Sequence, residues 1–280
     1  MNILFYSAIM FLSLFNKKIF NFNLKFKTYS NKVSNKVPNN FSQLIQKTVK
    51  YDYKDDIENK KLISVSPGGL KGFYLLGTLS YIKENYDLSN YIFSGASAGA
   101  WCSLIMSMNK KFDFFNFIDS TIINASSILE IQLNIKRKLL YTYKDSDFDL
   151  KRIYIGVTTL QKFNLETNIY TNFTDLEDAI DCCIASSHVP FVTGGLMNRY
   201  HNMLTFDGGF SDYPYIKKIE PIIHIHPNIW NNTIKNKKVF FYDTSLFSRE
   251  KYNFNTLFMD GYNDAKKNKD YLTQLFNMKI

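Results

Sequence analysis

The sequence Gly95-Ala96-Ser97-Ala98-Gly99 follows an apolar run, Tyr91-Ile92-Phe93, and precedes a stretch of helical character at residues 100–108. A short strand that enters a helix through so tight a turn forces the central residue into a strained backbone conformation, and only small neighbours fit beside it. The pattern therefore predicts that the Ser97 hydroxyl stands clear of a sheet at a helix N-terminus, where the partial positive charge favours an anion. Such a turn is a nucleophile elbow and indicates an α/β fold.

A second strand, loop and helix pattern precedes the elbow. The β-like run Leu62-Ile63-Ser64-Val65 ends at Pro67-Gly68-Gly69-Leu70-Lys71-Gly72, and apolar residues then recur at helical spacing. Glycines at the start of a helix present backbone N–H groups to an anion, either a phosphate or the oxyanion of an acyl-transfer intermediate. The spacing fits neither a dinucleotide-binding motif nor a P-loop. An ordinary strand-to-helix turn is the alternative interpretation.

The group Thr205-Phe206-Asp207-Gly208-Gly209 places an acidic residue at the end of a short apolar segment. The two glycines remove side-chain crowding on one flank, so another backbone segment can approach closely. A serine needs a base to act as a nucleophile, and Asp207 is the candidate for that base. Without Ser97 in view, the same residues are typical of an ordinary Asp-Gly turn.

Three further patterns predict secondary structure. Residues 129–135 alternate apolar and polar side chains, which predicts a strand, and residues 153–157 predict a buried strand. Thr174 followed by Glu177 is a capping-box pattern that predicts a helix over residues 175–186. The odd number of cysteines, with two of them adjacent, argues against a disulfide framework and fits a reducing compartment; these are Cys102, Cys182 and Cys183.

Taken in order, these groups resemble the motifs of the patatin-like phospholipase family, in the branch that includes adiponutrin and adipose triglyceride lipase. The glycine loop, the elbow and the Asp-Gly-Gly group follow the family's order. Ala185-Ser186-Ser187-His188-Val189-Pro190 is similar to the family's Ala-Ser-x-x-x-Pro stretch, and Gly261-Tyr262-Asn263-Asp264-Ala265 resembles its Gly-Tyr-x-Asp-Ala stretch. The match extends from residue 61 to about residue 266.

The resemblance implies a three-layer α/β/α fold with a central, mostly parallel sheet, and hydrolysis of lipid acyl esters without a cofactor or a metal. Ser97 corresponds to the nucleophile and Asp207 to the base of a serine-aspartate dyad. The backbone N–H groups of Gly68 and Gly69, together with that of Ala98, correspond to the oxyanion hole. The other motif positions that match are Lys71, Gly72, Gly95, Gly99, Gly208 and Gly209.

Two features leave alternatives open. Pro67 stands where the family usually has a third glycine, and proline has no N–H to donate. A catalytically silent protein of the same fold that binds lipid surfaces, or serves as a scaffold, is therefore the alternative function. His224 and His226 would share one face of a strand, so a Ser-Asp-His triad or a metal site is an alternative for them. We favour a structural role for both because the dyad motifs account for Ser97.

The N-terminal segment is apolar and then basic. Residues 1–15 are mostly apolar, and residues 1–50 contain eight lysines and no acidic residue, so they supply all but one of the nine net positive charges. This pattern predicts a membrane anchor or interfacial segment that attracts anionic lipid, with the catalytic domain cytoplasmic; a cleaved leader, with secretion, or a plain tail are the alternatives. Residues 28–60 are predicted as a loose connection, and residues 61–280 as the catalytic domain. The expected partner is a lipid at a membrane or lipid-droplet surface, and no motif accompanies the charge to indicate nucleic acid.

Overall fold

The computed structural model describes the backbone of residues 46–51 and all atoms of residues 57, 59–161, 164–230 and 252–277. The predicted anchor or leader and most of the lysine-rich segment lie outside the described residues. Within them the chain has an α/β fold, in which a mixed, mostly parallel central sheet packs with helices. This architecture is compatible with the expected three-layer arrangement.

Eight strands form the sheet in the described part of the chain. The path runs β1-β5-β4-β3-β2-β8, with β7 paired to β4 and β6 to β7. Strands β8, β2, β3 and β4 are mutually parallel, whereas β5 and β7 run antiparallel to β4. Their bounds are β1 Gln46–Tyr51, β2 Lys61–Val65, β3 Tyr91–Gly95, β4 Ile153–Gln161, β5 Asn164–Tyr170, β6 Asn198–Tyr200, β7 Met203–Phe206 and β8 Pro221–Ile225.

The register of β2 and β3 brings the two glycine-containing loops together. Val65, the last residue of β2, lies opposite Gly95, the last residue of β3. Both strands are buried, and adjacent residues contribute to different apolar clusters, as Leu62 and Ile63 do. A strand that is covered on both faces reads as a continuous apolar run, which explains why both strands were recognisable in the sequence.

Helices follow strands β2, β3, β5 and β8 along the chain, and four of them lie between β3 and β4. The α-helices in the described ranges are α1 Gly72–Asn85, α2 Ala98–Met106, α3 Phe114–Phe117, α4 Ser120–Ile123, α5 Ile128–Thr142, α6 Leu176–Ser186, α7 Phe254–Lys267 and α8 Lys269–Asn277. Two short 3-10 turns belong to the glycine loop and to the Asp-Gly-Gly group; they span Gly69–Lys71 and Gly208–Phe210. None of the helices in these ranges has both the length and the apolar character needed to cross a membrane.

Two sequence predictions need correction here. The strand predicted at residues 129–135 is wrong, because these residues belong to α5. The helix begins where the Ser127 hydroxyl accepts a hydrogen bond from the N–H of Glu130 at 3.2 Å. Residues 28–60, predicted as a loose connection, contain strand β1, which pairs in parallel with β5.

The helix predicted at residues 175–186 is confirmed, but its cap lies one residue later than predicted. Asp175, rather than Thr174, accepts the hydrogen bond from the N–H of Asp178, at 2.8 Å. The Asp178 carboxylate in turn accepts from the N–H of Thr174 at 3.1 Å. The second bond involves the N–H of the residue before the N-cap rather than that of the N-cap, so the pair of bonds resembles a capping box without being one.

Helix α7 crosses α1 at a very short distance. A Cβ atom on Gly77 would lie 1.9 Å from a backbone oxygen of α7, and one on Gly261 would lie 2.0 Å from the carbonyl oxygen of Tyr74. The Tyr74 hydroxyl also donates a 3.0 Å hydrogen bond to Asp264. Two residues of the Gly-Tyr-x-Asp-Ala stretch, Gly261 and Asp264, thus pack or bond α7 against α1, the helix that follows the glycine loop.

Candidate active site

Ser97 occupies the turn between β3 and α2 in a strained conformation. Its φ is 54° and its ψ is −124°, values that place an L-residue in a rarely populated region. A Cβ atom on Gly95 would lie 2.1 Å from the carbonyl oxygen of Gly99, and one on Gly99 would lie 2.1 Å from that of Val65. The two glycines are therefore required by the close approach of backbone segments, and they hold the serine at the start of the helix.

Asp207 is the hydrogen-bond partner of the Ser97 side chain. The Ser97 hydroxyl donates a 2.6 Å hydrogen bond to Asp207 Oδ2, and the N–H of Gly209 donates a 2.7 Å bond to Oδ1. A Cβ atom on Gly208 would lie 2.2 Å from the carbonyl oxygen of Gly156 in β4. The glycine thus lets the Asp207 turn pack against the sheet, and both carboxylate oxygens are held in place.

Burial changes the acidity of this carboxyl group. Asp207 is only 1% exposed, and this loss of hydration raises its pKa from the usual 3.8 to about 7. The hydrogen bonds from Ser97 and Gly209 oppose that increase because they stabilise the carboxylate. A carboxyl group with this pKa can both accept and return a proton near neutral pH, which is the requirement for a general base and acid.

Ser186 connects the elbow to the sheet, a role that the sequence did not reveal. Its hydroxyl accepts a 2.8 Å hydrogen bond from the N–H of Ser97 and donates a 2.7 Å bond to the carbonyl of Gly156. Two residues later, the carbonyl of His188 accepts a 2.7 Å bond from the N–H of Asp207. The Ala-Ser-x-x-x-Pro stretch therefore holds the backbone of both dyad residues, and the resemblance was the only signal that marked it.

The three predicted oxyanion donors are not equivalent. Gly69 and Ala98 line the same cavity as Ser97, and Gly69 adopts a positive φ of 53°. Gly68 is not among the described residues that line this cavity; a Cβ atom on it would lie 3.3 Å from Leu75 Cδ1 and 3.6 Å from Pro227 Cγ. Within the described part of the chain, no hydrogen bond engages the N–H groups of Gly69 and Ala98. They are therefore the better candidates to bind an oxyanion.

The supporting positions shape the loop. The N–H of Lys71 donates a 3.1 Å hydrogen bond to the carbonyl of Gly68, which closes the 3-10 turn. A Cβ atom on Gly72 would lie 2.8 Å from the Cβ of Ala98. The absence of a side chain at Gly72 thus lets α1 begin against the start of α2.

A cavity of about 120 Å³ opens beside Ser97. Residues of α1 and α2 line this cavity together with residues 112–118, α5, Ser187 and Thr193. The contribution of residues 112–118 and α5 carries no signal in the sequence, because their apolar side chains are indistinguishable from those of an ordinary core. The lining is mainly apolar and includes Phe73, Leu76, Trp101, Ile105, Phe117, Ile131 and Ile135.

The histidines predicted as alternatives take other partners. His224 Nδ1 lies 2.8 Å from the Ser64 hydroxyl, and His226 Nδ1 accepts a 3.3 Å bond from the N–H of Asn228. Burial, with a smaller contribution from His226, lowers the pKa of His224 to about 4. The geometry therefore offers no histidine that orients Ser97 through a hydrogen bond.

Metal and thiol chemistry find little support in the residues described. These residues contain no group of three or more His, Cys, Asp or Glu side chains arranged to hold a metal ion. Cys102, Cys182 and Cys183 are buried and unpaired by disulfides. Burial raises the pKa of the Cys102 thiol to about 12, so this residue remains a neutral packing group.

The fold and the site together define an α/β protein with a buried serine-carboxylate pair beside an apolar cavity. The sequence matches no protein-family model and no curated protein.

Proposed function

We propose that this protein is a serine lipid acyl hydrolase with a patatin-like three-layer fold, which cleaves carboxylic esters of membrane or neutral lipids. The observation that carries the proposal is the 2.6 Å hydrogen bond between the Ser97 hydroxyl and Asp207 Oδ2 at a strained strand-to-helix turn. A serine in this position needs only a base and an oxyanion site to attack an ester.

The proposed reaction proceeds through an acyl-enzyme. Ser97 Oγ attacks the ester carbonyl carbon while Asp207 accepts the hydroxyl proton. The N–H groups of Gly69 and Ala98 stabilise the oxyanion, with the α2 N-terminus adding to the favourable potential. When the intermediate collapses, the alcohol leaves with the proton from Asp207. Asp207 then accepts a proton from a water molecule while the water oxygen attacks the acyl carbon. The bond to Ser97 Oγ breaks, Oγ takes the proton back from Asp207, and the fatty acid leaves.

The cavity supports part of an acyl chain as the group that is bound, since a volume of about 120 Å³ is too small for a whole fatty acyl chain. Its walls are mainly side chains of Phe, Leu, Ile and Trp residues, which favour hydrocarbon over a charged or sugar-like ligand. The lysine-rich N-terminal segment supports a lipid surface as the partner, because each cation near an anionic membrane contributes about 1 kcal/mol to binding. No cofactor takes part in the proposed reaction.

The test is the release of fatty acid from phospholipid vesicles and from triacylglycerol emulsions. We expect the wild-type protein to release fatty acid and Ser97→Ala to lose at least about 1,000-fold in rate, because the nucleophile is absent. Ser146→Ala is the matched control, since Ser146 is exposed. The preferred emulsion or vesicle would separate a neutral lipase from a phospholipase.

A serine-directed phosphonate probe distinguishes the hydrolase from the silent lipid-binding alternative. Covalent labelling of the wild-type protein but not of Ser97→Ala requires an activated serine. A folded wild-type protein that neither becomes labelled nor releases fatty acid would contradict the proposal. The loss of a donor at Pro67 would then be the first explanation to examine.

A further inference from the structure

One polar side chain in the lining of the cavity has a buried oxygen atom without a hydrogen-bond partner among the described residues. Gln132 projects from α5, lines the cavity beside Ser97 and is 6% exposed. Its Oε1 atom is buried and makes no hydrogen bond within the residues that the structure describes. A buried amide oxygen without a hydrogen bond destabilises the fold, so its position calls for a ligand group that can bond to this amide.

The other hydrogen-bonding side chains of the cavity wall are already engaged. Ser97 donates to Asp207, and the Ser187 hydroxyl donates to the carbonyl of Cys183 at 2.8 Å. Trp101 Nε1 donates to Ser187 at 3.1 Å, and the Thr193 hydroxyl donates to a backbone carbonyl at 2.9 Å. Gln132 therefore differs from the other polar lining residues, because its Oε1 atom is buried without a partner among the described residues.

A trapped water molecule is a poor substitute for a ligand at this position. Buried water usually makes about three hydrogen bonds to polar groups that have no other partner. Here the neighbouring cavity-lining residues on the same helix are Ile128, Ile131 and Ile135, which offer none from their side chains. A ligand with a hydrocarbon chain and a single polar group can pack against the apolar side chains and also form a hydrogen bond with Gln132.

The hydrogen-bonding chemistry of the Gln132 amide limits which polar group the ligand can carry. The oxygen of a glutamine side chain accepts a hydrogen bond and its nitrogen donates one, and the two ends can exchange by rotation. A hydroxyl group can act as donor or acceptor, so it pairs with either end. A headgroup with several polar atoms would leave the others unpaired against isoleucine side chains.

We propose that Gln132 is a specificity residue that selects acyl chains carrying a hydroxyl group. This inference rests on the proposed function, because it assigns the cavity to the acyl chain of the ester. Hydroxylated fatty acyl esters are then the preferred substrate class, with the chain packed against the apolar walls and its hydroxyl bound to the Gln132 amide.

The experiment measures hydrolysis of a series of fatty acyl esters with the same chain length and the same leaving group. One ester has a plain chain, and each of the others carries one hydroxyl group at a different chain position. We expect the wild-type protein to show a kcat/KM about tenfold higher for a hydroxyl at one position than for the plain chain. Gln132→Leu should reduce this ratio to about one and raise activity on the plain chain. Gln274→Leu is the matched control, because Gln274 is exposed on α8.

A binding measurement separates this inference from the proposed function. Calorimetric titration of Ser97→Ala, and of Ser97→Ala with Gln132→Leu, compares the free hydroxylated fatty acid with the plain fatty acid. We expect tighter binding of the hydroxylated acid only when Gln132 is present. If the plain and hydroxylated chains are hydrolysed and bound equally at every position, the inference fails while the hydrolase stands. Selective binding without hydrolysis by the wild-type protein would support the ligand class and contradict the proposed reaction.

Discussion

At the scale of single residues, the proposed reaction depends on the protonation state of Asp207. The carboxylate accepts the hydroxyl proton only in its charged form, and burial disfavours that form. The same burial shields the hydrogen bond to Ser97 from water, which strengthens the interaction. Desolvation thus raises the basicity of the group and shifts its working range to neutral pH.

This pKa predicts the pH dependence of the proposed reaction. We expect kcat/KM to rise with pH by up to tenfold per unit below pH 7 and to level off above it, because the pKa of Asp207 is about 7 and only the charged form is active. The measurement is ester hydrolysis from pH 5 to pH 9 with a substrate that does not titrate. A profile that is flat across pH 6 to 8 would contradict the assignment of Asp207 as the base.

The same group makes a prediction about stability. The pKa of Asp207 is raised from 3.8 in the unfolded chain to about 7 in the folded protein, so the folded state binds the proton more tightly. Stability from this residue is therefore complete below pH 3.8 and is lost as the pH rises to 7.

We expect Asp207→Asn, which cannot ionise, to gain stability relative to the wild-type protein across this window, by up to about 1.4 kcal/mol per pH unit. Urea unfolding at pH 5, 6 and 7 provides the measurement. A difference between the two proteins that stays constant over these pH values would show that burial does not raise the pKa of Asp207.

At the scale of elements, the crossing of α1 and α7 depends on two glycines. We expect Gly261→Ala to lower the free energy of unfolding by about 2–4 kcal/mol, because its Cβ would lie 2.0 Å from the carbonyl oxygen of Tyr74 and the helices would have to separate. Thermal and urea unfolding measure this change.

Asn263→Ala is the control for this substitution, since Asn263 is exposed on the same helix. It should change stability by less than about 0.5 kcal/mol. Equal stability of Gly261→Ala and the control would show that the close crossing does not contribute to the fold.

Elements that are buried on both faces were predictable from sequence, whereas the amphipathic α5 was not. Residues 129–135 alternate in polarity, but Ile128, Ile131, Ile135 and Leu139 also recur at helical spacing. A short window fits both the two-residue period of a strand and the 3.6-residue period of a helix, and the prediction followed the strand period. The Ser127 cap is a local signal for a helix, whereas the apolar series becomes clear only over the 15 residues of α5.

At the scale of the whole molecule, charge and lipid binding are expected to be coupled. Nearly all of the net charge of +9 belongs to residues 1–50. We expect the full chain to bind anionic vesicles at least tenfold more weakly at 0.5 M than at 0.05 M salt, because salt screens the attraction. Sedimentation with neutral vesicles is the control, and an equal salt dependence for both would contradict an electrostatic contribution.

The parts of the candidate site differ in how far the sequence could define them. Local motifs indicated Ser97 and Asp207 because turns constrain residue types within a few positions. Their 2.6 Å contact joins residues that are 110 positions apart, and the cavity depends on packing between several helices. Ser186 and Gln132 carried no local signal, since their roles depend on where distant backbone and side chains meet.

The packing of α7 against α1 also determines when the contact between them can form during protein synthesis. Tyr74 and Asp264 are separated by 190 positions in the sequence, so the contact forms late on a growing chain. A nascent chain that has left the ribosome only as far as residue 230 already contains Ser97 and Asp207, yet it lacks the helix that holds α1 and the glycine loop at its start. On a growing chain, the contact between α1 and α7 therefore forms only after both residues of the serine-carboxylate pair have been synthesised.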